Sequence, residues 1–315
     1  MEEHKYVSKQ PLVSVIMPAF NSEKSISESI LSVINQTIDN WELIVVDDAS
    51  KDNTLAIVQN LLKSDDRIRV LSLAKNSGVS NARNLGIKQT TGEYVAFLDS
   101  DDLWHKDKLK KQTDFHTTNS SIKISHTDFH FFNELGIQKR NLKYLIDFRS
   151  DKEGLLYPKL CYKNTVGILT VLIRRDLLQR AGEFDTSLQG TEDHDLLIRI
   201  AKEMEAFGYL PEILAYYKVG NSGLSGSHLG RYKTANKKLI RKLLINDRLE
   251  SKLLWRAYYR YFGILYLKRN SFKISFRYFI KSVWLIPFDY ISTTTYMYMI
   301  YAYLKKIIYF VSAQR

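Results

Sequence analysis

Cysteine is nearly missing from this 315-residue chain, with Cys161 standing alone. An intrachain disulfide and a cysteine metal cluster are thereby excluded, and a reducing compartment is the natural expectation. No stretch reaches the roughly 18 uncharged apolar residues of a spanning helix, because Pro287 and Lys305-Lys306 interrupt the most apolar tail segments. The opening Met1-Glu2-Glu3-His4-Lys5 is polar, and the apolar run at 13–17 is too short for the core of a signal peptide. The first turn, Pro18-Ala19-Phe20-Asn21, lacks the glycine fingerprint of a dinucleotide fold, and no P-loop occurs anywhere. RRM and KH signatures of RNA binding are absent as well.

Acidic residues are scarce in one region. Residues 229–315 hold 3 Asp and Glu against 18 Lys and Arg, whereas residues 1–228 hold 31 against 28, so the formal charge of +12 comes from the tail. A near-neutral body followed by a basic, aromatic tail points to an anionic surface as a partner of the tail. With 45% hydrophobic and 12% aromatic residues, the chain has the composition of a folded protein. Its length suffices for one substantial core and a smaller appended unit.

In the body, β-branched apolar runs alternate with helical patterns. Val13-Ser14-Val15-Ile16-Met17, Trp41-Glu42-Leu43-Ile44-Val45-Val46, the run at 68–73 and Tyr94-Val95-Ala96-Phe97-Leu98 read as buried strands. Helical spacing follows from Glu23, from Asn53 to Leu62, and after Asn76-Ser77-Gly78, with Gly92 closing the third helix. Such alternation predicts βαβ units and a parallel sheet, with ligands bound beyond the carboxyl ends of the strands. Phe20-Asn21, Asp47-Asp48 and Asp99 to Asp102 all fall there, so they should line one crevice.

Asp99-Ser100-Asp101-Asp102 places three carboxylates within four residues. Gathered like charges raise one another's pKa unless a cation or strong donors neutralise them. Two uses fit: hard oxygen ligands for Mg²⁺ or Mn²⁺ holding a diphosphate, or a solvated turn with Asp102 as N-cap of the next helix.

The ordered set Val15-Ile16-Met17-Pro18-Ala19-Phe20-Asn21, Val45-Val46-Asp47-Asp48-Ala49-Ser50, Asn76-Ser77-Gly78 with Ala82-Arg83-Asn84, and Phe97-Leu98-Asp99-Ser100-Asp101-Asp102 resembles the family 2 inverting glycosyltransferases of the GT-A fold. The resemblance covers about residues 11–228 and implies an α/β GT-A catalytic domain, followed by a helical region at 229–315. It implies that Pro18, Phe20, Asn21 and Asp48 border the nucleotide, with Arg83 supporting the pocket. Asp99 and Asp101 match the family's DxD motif; Asp101 is the leading ligand for Mn²⁺ or Mg²⁺, with Asp99 near the ribose and Asp102 as a further ligand.

Glu192-Asp193 opens another helical pattern, with apolar Leu196, Leu197 and Ile200. A helix N-terminus favours carboxylates, so plain capping would account for the pair. The resemblance instead implies Asp193 as catalytic base, with Glu192 orienting it or the acceptor; His194 stands where the family commonly has an aromatic. Lys218 occupies the place of a family Arg near the diphosphate, ahead of a small-residue loop at 221–228 that ends in His228. His126, Asp128 and His130 alternate like a strand and suit the edge of a sheet bordering an acceptor groove better than a metal site. The processive motif Gln-x-x-Arg-Trp is absent, which implies addition of one sugar per encounter.

The resemblance implies a nucleotide-sugar donor, most simply UDP-linked, a lipid-linked glycan acceptor in surface polysaccharide assembly, and a place on the inner face of the cell membrane. The tail's basic blocks, interleaved with Trp255, Tyr258, Tyr259 and Tyr261, suggest helices lying on an anionic membrane surface. The rival functions are a sugar nucleotidyltransferase, which should show a Gly- and Lys/Arg-rich loop after its first strand, and a non-catalytic sugar-nucleotide-binding adaptor.

Overall fold

In the computed structural model, the described residues are 12–133, 136–138, 156–157, 159–162, 164–203, 206–219, 229–247, 251–269, 271–285, 295–296, 298–301 and 303. The loop at 221–228, His228 included, and most of 133–165 lie outside them.

Four parallel strands, β1 (Val13–Ala19), β2 (Trp41–Asp47), β3 (Ile68–Ser72) and β4 (Tyr94–Phe97), alternate with helices α1 (Ile26–Ile34), α2 (Thr54–Leu62) and α3 (Val79–Lys88). The strands stand in the order β3-β2-β1-β4. Side chains of a strand alternate between faces, and two cores result. Val13, Val15, Met17, Leu43 and Val45 pack with Ile26, Ile30, Val33 and Val58 of α1 and α2. Ile44 and Val46 pack with Ala82 and Leu85 of α3. Full burial of each such side chain is worth about 1.5–3 kcal/mol. This explains why both strands read as continuous apolar runs.

Gly92 lies three residues beyond Gln89, the C-cap of α3, and serves the sheet instead. A Cβ there would lie 2.7 Å from Ser14 N, and Gly92 N donates to Ser14 Oγ at 2.9 Å. Close backbone approach, not helix termination, requires the glycine.

The sheet continues past β4 in mixed fashion. Strands β5 (Leu103–Trp104), β6 (Ile124–Asn133), β7 (Gly136–Gln138), β8 (Leu172–Arg174) and β9 (Gly208–Lys218) extend it in the order β4-β8-β6-β9-β5, with β7 on β6. Helices α4 (Lys108–Thr118), α5 (Lys159–Tyr162), α6 (Arg175–Ala181) and α7 (Glu192–Glu203) lie between these strands in sequence. The expected sheet edge at 122–132 is corrected: β6 is interior, pairing with β8 on one side and β9 on the other. His126 stacks on Tyr209 of β9 at 5.1 Å, and Tyr209 Oη donates to Asp128 Oδ2 at 2.6 Å. Those polar residues are cross-strand packing partners.

The chain divides into two compact units, and residues 229–315 with 161–163 make up the second. Its described helices are α8 (Leu229–Asp247), α9 (Ser251–Lys268) and α10 (Phe272–Leu285). Helices α9 and α10 form a close hairpin. Ser275 Oγ donates to Gly263 O at 2.8 Å, and Phe279 lies against Gly263. No helix among the described residues is long and apolar enough to cross a membrane.

Candidate active site

The crevice opens where β1 and β4 part. Ile16 O accepts from Leu98 N at 3.0 Å, so the even residues of β1 face β4. The β1–β4 ladder ends at Ile16↔Phe97. Pro18 comes next on that side, where its missing N–H costs no ladder bond. Pro18 is buried, and Phe20 beyond it is 43% exposed, which excludes core packing for that ring.

The loops after β1 and β2 are locked to each other. Asn21 has φ 50° and Ala49 φ 60°, a left-handed conformation unusual for either and most costly for Ala. Asn21 N donates to Ser50 Oγ at 3.0 Å, and Lys51 N donates to Asn21 Oδ1 at 2.8 Å. Asp48 N donates to Ala19 O at 2.8 Å. The Asp48 carboxylate accepts Ser77 N at 2.7 Å and Gly78 N at 2.8 Å, just ahead of α3. Ser22 Oγ and Ser100 Oγ, 2.7 Å apart, join the first loop to the acidic one.

No helix follows Asp102, since β5 begins at Leu103 and α4 only at Lys108. The capping alternative therefore falls. The three carboxylates also diverge. Asp102 is 1% exposed and turns inward, its Oδ1 accepting Lys218 N at 2.8 Å. That bond ties the end of β9 to the acidic loop and brings Lys218 near Asp101. Asp101 is an exposed residue with Asp99 and Lys218 within electrostatic reach of its carboxyl. Lost hydration and then the charge of Asp99 push its carboxyl up to about 6, with Lys218 opposing. Asp102 is raised well above the usual range, by burial first and by Asp99 and Asp101 second.

Arg83, projecting from α3 and 3% exposed, joins this loop to the second acidic group. Its Nη2 donates to Asp99 Oδ1 at 2.7 Å and its Nη1 to Glu192 Oε1 at 3.2 Å. Burial opposes the guanidinium charge, but Asp99 and Glu192 outweigh it and hold the pKa above the ordinary value. The buried Nε makes no hydrogen bond. Glu192 Oε2 accepts Gly190 N at 2.6 Å, and Gly190 has φ 92°. Asp193, the next residue, accepts His194 N on Oδ1 at 2.7 Å. Burial raises the Asp193 pKa while Arg83 opposes the rise; Glu192 is raised by burial and then by Asp193. His194 Nε2 lies 2.6 Å from Leu160 O, so that nitrogen carries the proton.

One guanidinium thus links Asp99 of the acidic loop to Glu192 beside Asp193. The linking role of Arg83 and the lock between Asp102 and Lys218 were not legible in the sequence, because both depend on contacts over 109 and 116 positions. Among the described residues, no group of three or more His, Cys, Asp or Glu side chains is disposed to hold a metal by itself.

Comparison with known proteins bears on the family and the fold. The model of glycosyl transferase family 2 matches residues 14–177. TuaG of Bacillus subtilis (strain 168), named for teichuronic acid biosynthesis, is 36% identical over 230 residues, spanning 72% of this chain and 86% of TuaG. WfgD of Escherichia coli, a UDP-Glc:alpha-D-GlcNAc-diphosphoundecaprenol beta-1,3-glucosyltransferase, is 32% identical over 263 residues, 83% of this chain and 96% of WfgD. The structure of S. aureus TarS 1–349 with UDP-GlcNAc gives a TM-score of 0.63 at 23% identity, covering 87% of this chain and 81% of that one. PcManGT, a mannosyltransferase from Pyrobaculum calidifontis solved with GDP-Man and Mn²⁺, gives 0.64 at 18% identity, covering 95% and 88%. The fold is GT-A, as the motifs implied. This chain belongs to glycosyl transferase family 2 and is a glycosyltransferase.

Proposed function

We propose that the enzyme moves one sugar, with inversion, from a UDP-linked donor to a hydroxyl of a lipid-linked glycan in surface polysaccharide assembly, assisted by Mn²⁺ or Mg²⁺. The observation that carries this reading is the Arg83 bridge, which ties a donor-side carboxylate, Asp99, to the acceptor-side pair Glu192-Asp193. WfgD, which takes UDP-Glc and a diphosphoundecaprenol-linked acceptor by name, supports the donor and acceptor classes. Family membership sets aside the nucleotidyltransferase and adaptor readings.

The residues present fit a divalent cation of the hard type. Mg²⁺ and Mn²⁺ take one or two carboxylates and complete their shell with water and substrate phosphates. The exposed Asp101 and the second oxygen of Asp99 meet that need, while Asp102, its Oδ1 committed to Lys218 N, contributes chiefly by fixing the loop. A bound cation would neutralise charge on the departing diphosphate. Lys218 adds a positive charge on the same side, as a point charge and not a bidentate fork. Pro18, Phe20, Asn21 and Asp48 shape the nucleotide end; Phe20 offers an exposed ring, whereas Asn21 and Asp48 hold backbone.

Asp193 takes the proton from the acceptor hydroxyl. That oxygen bonds to the anomeric carbon on the face opposite the diphosphate, and the carbon–oxygen bond to the diphosphate breaks, its electron pair leaving with the nucleotide. A single displacement inverts the anomeric centre. A base works best with its pKa near the operating pH, and the raised pKa of Asp193 moves it that way from the ordinary Asp value of 3.8.

Asp193→Asn should lower turnover by about a thousandfold or more while Mn²⁺-dependent UDP binding persists. Because Asp193 must be unprotonated, the wild-type rate should fall with decreasing pH along a limb lying above the usual Asp range. Loss of nucleotide binding in the variant would mean that the base lies elsewhere. A thermal-shift series with UDP-, GDP- and dTDP-sugars, with and without Mn²⁺, identifies the donor nucleotide, since a ligand of the folded state raises Tm.

A further inference from the structure

We infer that α10 is an interfacial helix whose outer face, Phe276, Ile280 and Trp284 beside Lys273, Arg277 and Lys281, lies flat on an anionic phospholipid bilayer. The inference concerns a helix of the second unit and does not depend on the role given to Asp193.

The inner face of α10 is already occupied. Phe272, Ser275, Phe279, Ser282 and Val283 are buried, and Ser275 and Ser282 donate to Gly263 O and Arg256 O of α9 at 2.8 and 3.2 Å. Those bonds fix the rotation of the helix about its axis. Phe276, Ile280 and Trp284 must then point away from α9, and they are 38%, 44% and 85% exposed. Spaced four apart, they form an apolar ridge. Lys273, Arg277 and Lys281 form a parallel basic ridge with the same spacing, and all three are exposed.

Charge selects the occupant. Residues 251–285 contain no Asp or Glu. A protein partner burying the apolar ridge would have to bring a dense acidic rim, whereas an anionic bilayer supplies apolar depth and negative charge over one plane. Amphipathic helices with Lys and Arg beside large apolar residues settle at that boundary, where Trp favours the headgroup level. The helix has 14 residues, about 21 Å of length, too short to cross the roughly 30 Å hydrocarbon core. Lying in the plane satisfies both constraints.

The test uses the full chain and vesicles of equal parts phosphatidylglycerol and phosphatidylcholine. Cosedimentation should be strong on these and weak on pure phosphatidylcholine. Lys273→Gln, Arg277→Gln and Lys281→Gln together should weaken binding by about a hundredfold, given about fivefold per basic residue near the surface. Phe276→Ser with Ile280→Ser should weaken it by about tenfold or more, with glycosyl transfer to a soluble acceptor analogue unchanged in each variant. Trp41 and Trp104 are 2% and 4% exposed and Trp255 is half-buried, so the emission test is run in a Trp255→Phe background, where a blue shift on vesicles should come from Trp284 and vanish on adding Trp284→Phe while binding persists. Three results would overturn the inference: undiminished vesicle binding by the charge variant, self-association through this face that Ile280→Ser abolishes in the absence of lipid, or preference for single-stranded RNA over anionic vesicles.

Discussion

Arg83 holds two carboxylates on one buried guanidinium, and removing it would leave Glu192, 5% exposed, as an uncompensated charge. Breaking a buried pair from one side costs about 3–5 kcal/mol, with the share from Asp99 discounted because its side chain is 31% exposed. Arg83→Met should therefore lower the urea midpoint and turnover together. Arg83→Lys should keep one contact and fall between. Adding Glu192→Gln to Arg83→Met should restore part of the stability and none of the turnover, and equal stability of the single and double variants would rule out the bridge. At this scale the sequence revealed residue types placed just after strands but not how each is used. Asp101 is exposed, whereas Asn21, Asp48, Asp102 and Asp193 engage the backbone N–H groups of Lys51, of Ser77 with Gly78, of Lys218 and of His194. A polar side chain after a strand serves either purpose with the same sequence signature. The left-handed Ala49 carries no signature at all, because nothing about alanine favours φ 60°.

Elements were more legible than contacts, because periodicity reports which face is buried. Strands β1 to β4 and helices α1 to α3 match their apolar patterns, both faces of the sheet being covered. Periodicity does not say which neighbour a strand acquires. Strand β6 looked like an edge because its partners β8 and β9 come from residues 172–218, far beyond its own turn. The two-residue β5 was hidden because its pairing partners, Ala215 and Tyr216, lie on distant β9. In the second unit a single glycine sets the α9–α10 spacing. A Cβ at Gly263 would meet the Phe279 ring at 2.6 Å, and Phe279 is fully buried. Ala in place of Gly should gain up to about 1 kcal/mol of helix propensity, but overpacking costs about 1–3 kcal/mol, so the sign is destabilising. Hydrogen exchange of the α9 and α10 amides in Gly263→Ala should speed up. Unchanged or slower exchange would mean that the hairpin has room to give.

Across the whole molecule, charge is divided as sharply as structure: residues 229–315 carry 18 basic and 3 acidic residues, against 28 and 31 in residues 1–228. In the reading proposed above, donor binding draws on carboxylates and a cation in the first unit and membrane attachment on an exposed basic ridge in the second, so salt should separate the two. Screening shortens the reach of surface charge from about 10 Å at 0.1 M salt to about 3 Å at 1 M, and it acts weakly on buried pairs. The Arg83–Glu192 contact is buried, whereas Lys273, Arg277 and Lys281 are exposed. Raising salt should therefore increase KM for a lipid-linked acceptor presented on anionic vesicles while shifting KM for the same glycan on a soluble carrier far less. The Lys273→Gln, Arg277→Gln, Lys281→Gln variant should show the high-salt KM on vesicles already at low salt, with its donor KM unchanged. An equal salt response for both acceptors would locate the ionic dependence in the catalytic crevice and remove the membrane surface from the enzyme's working cycle.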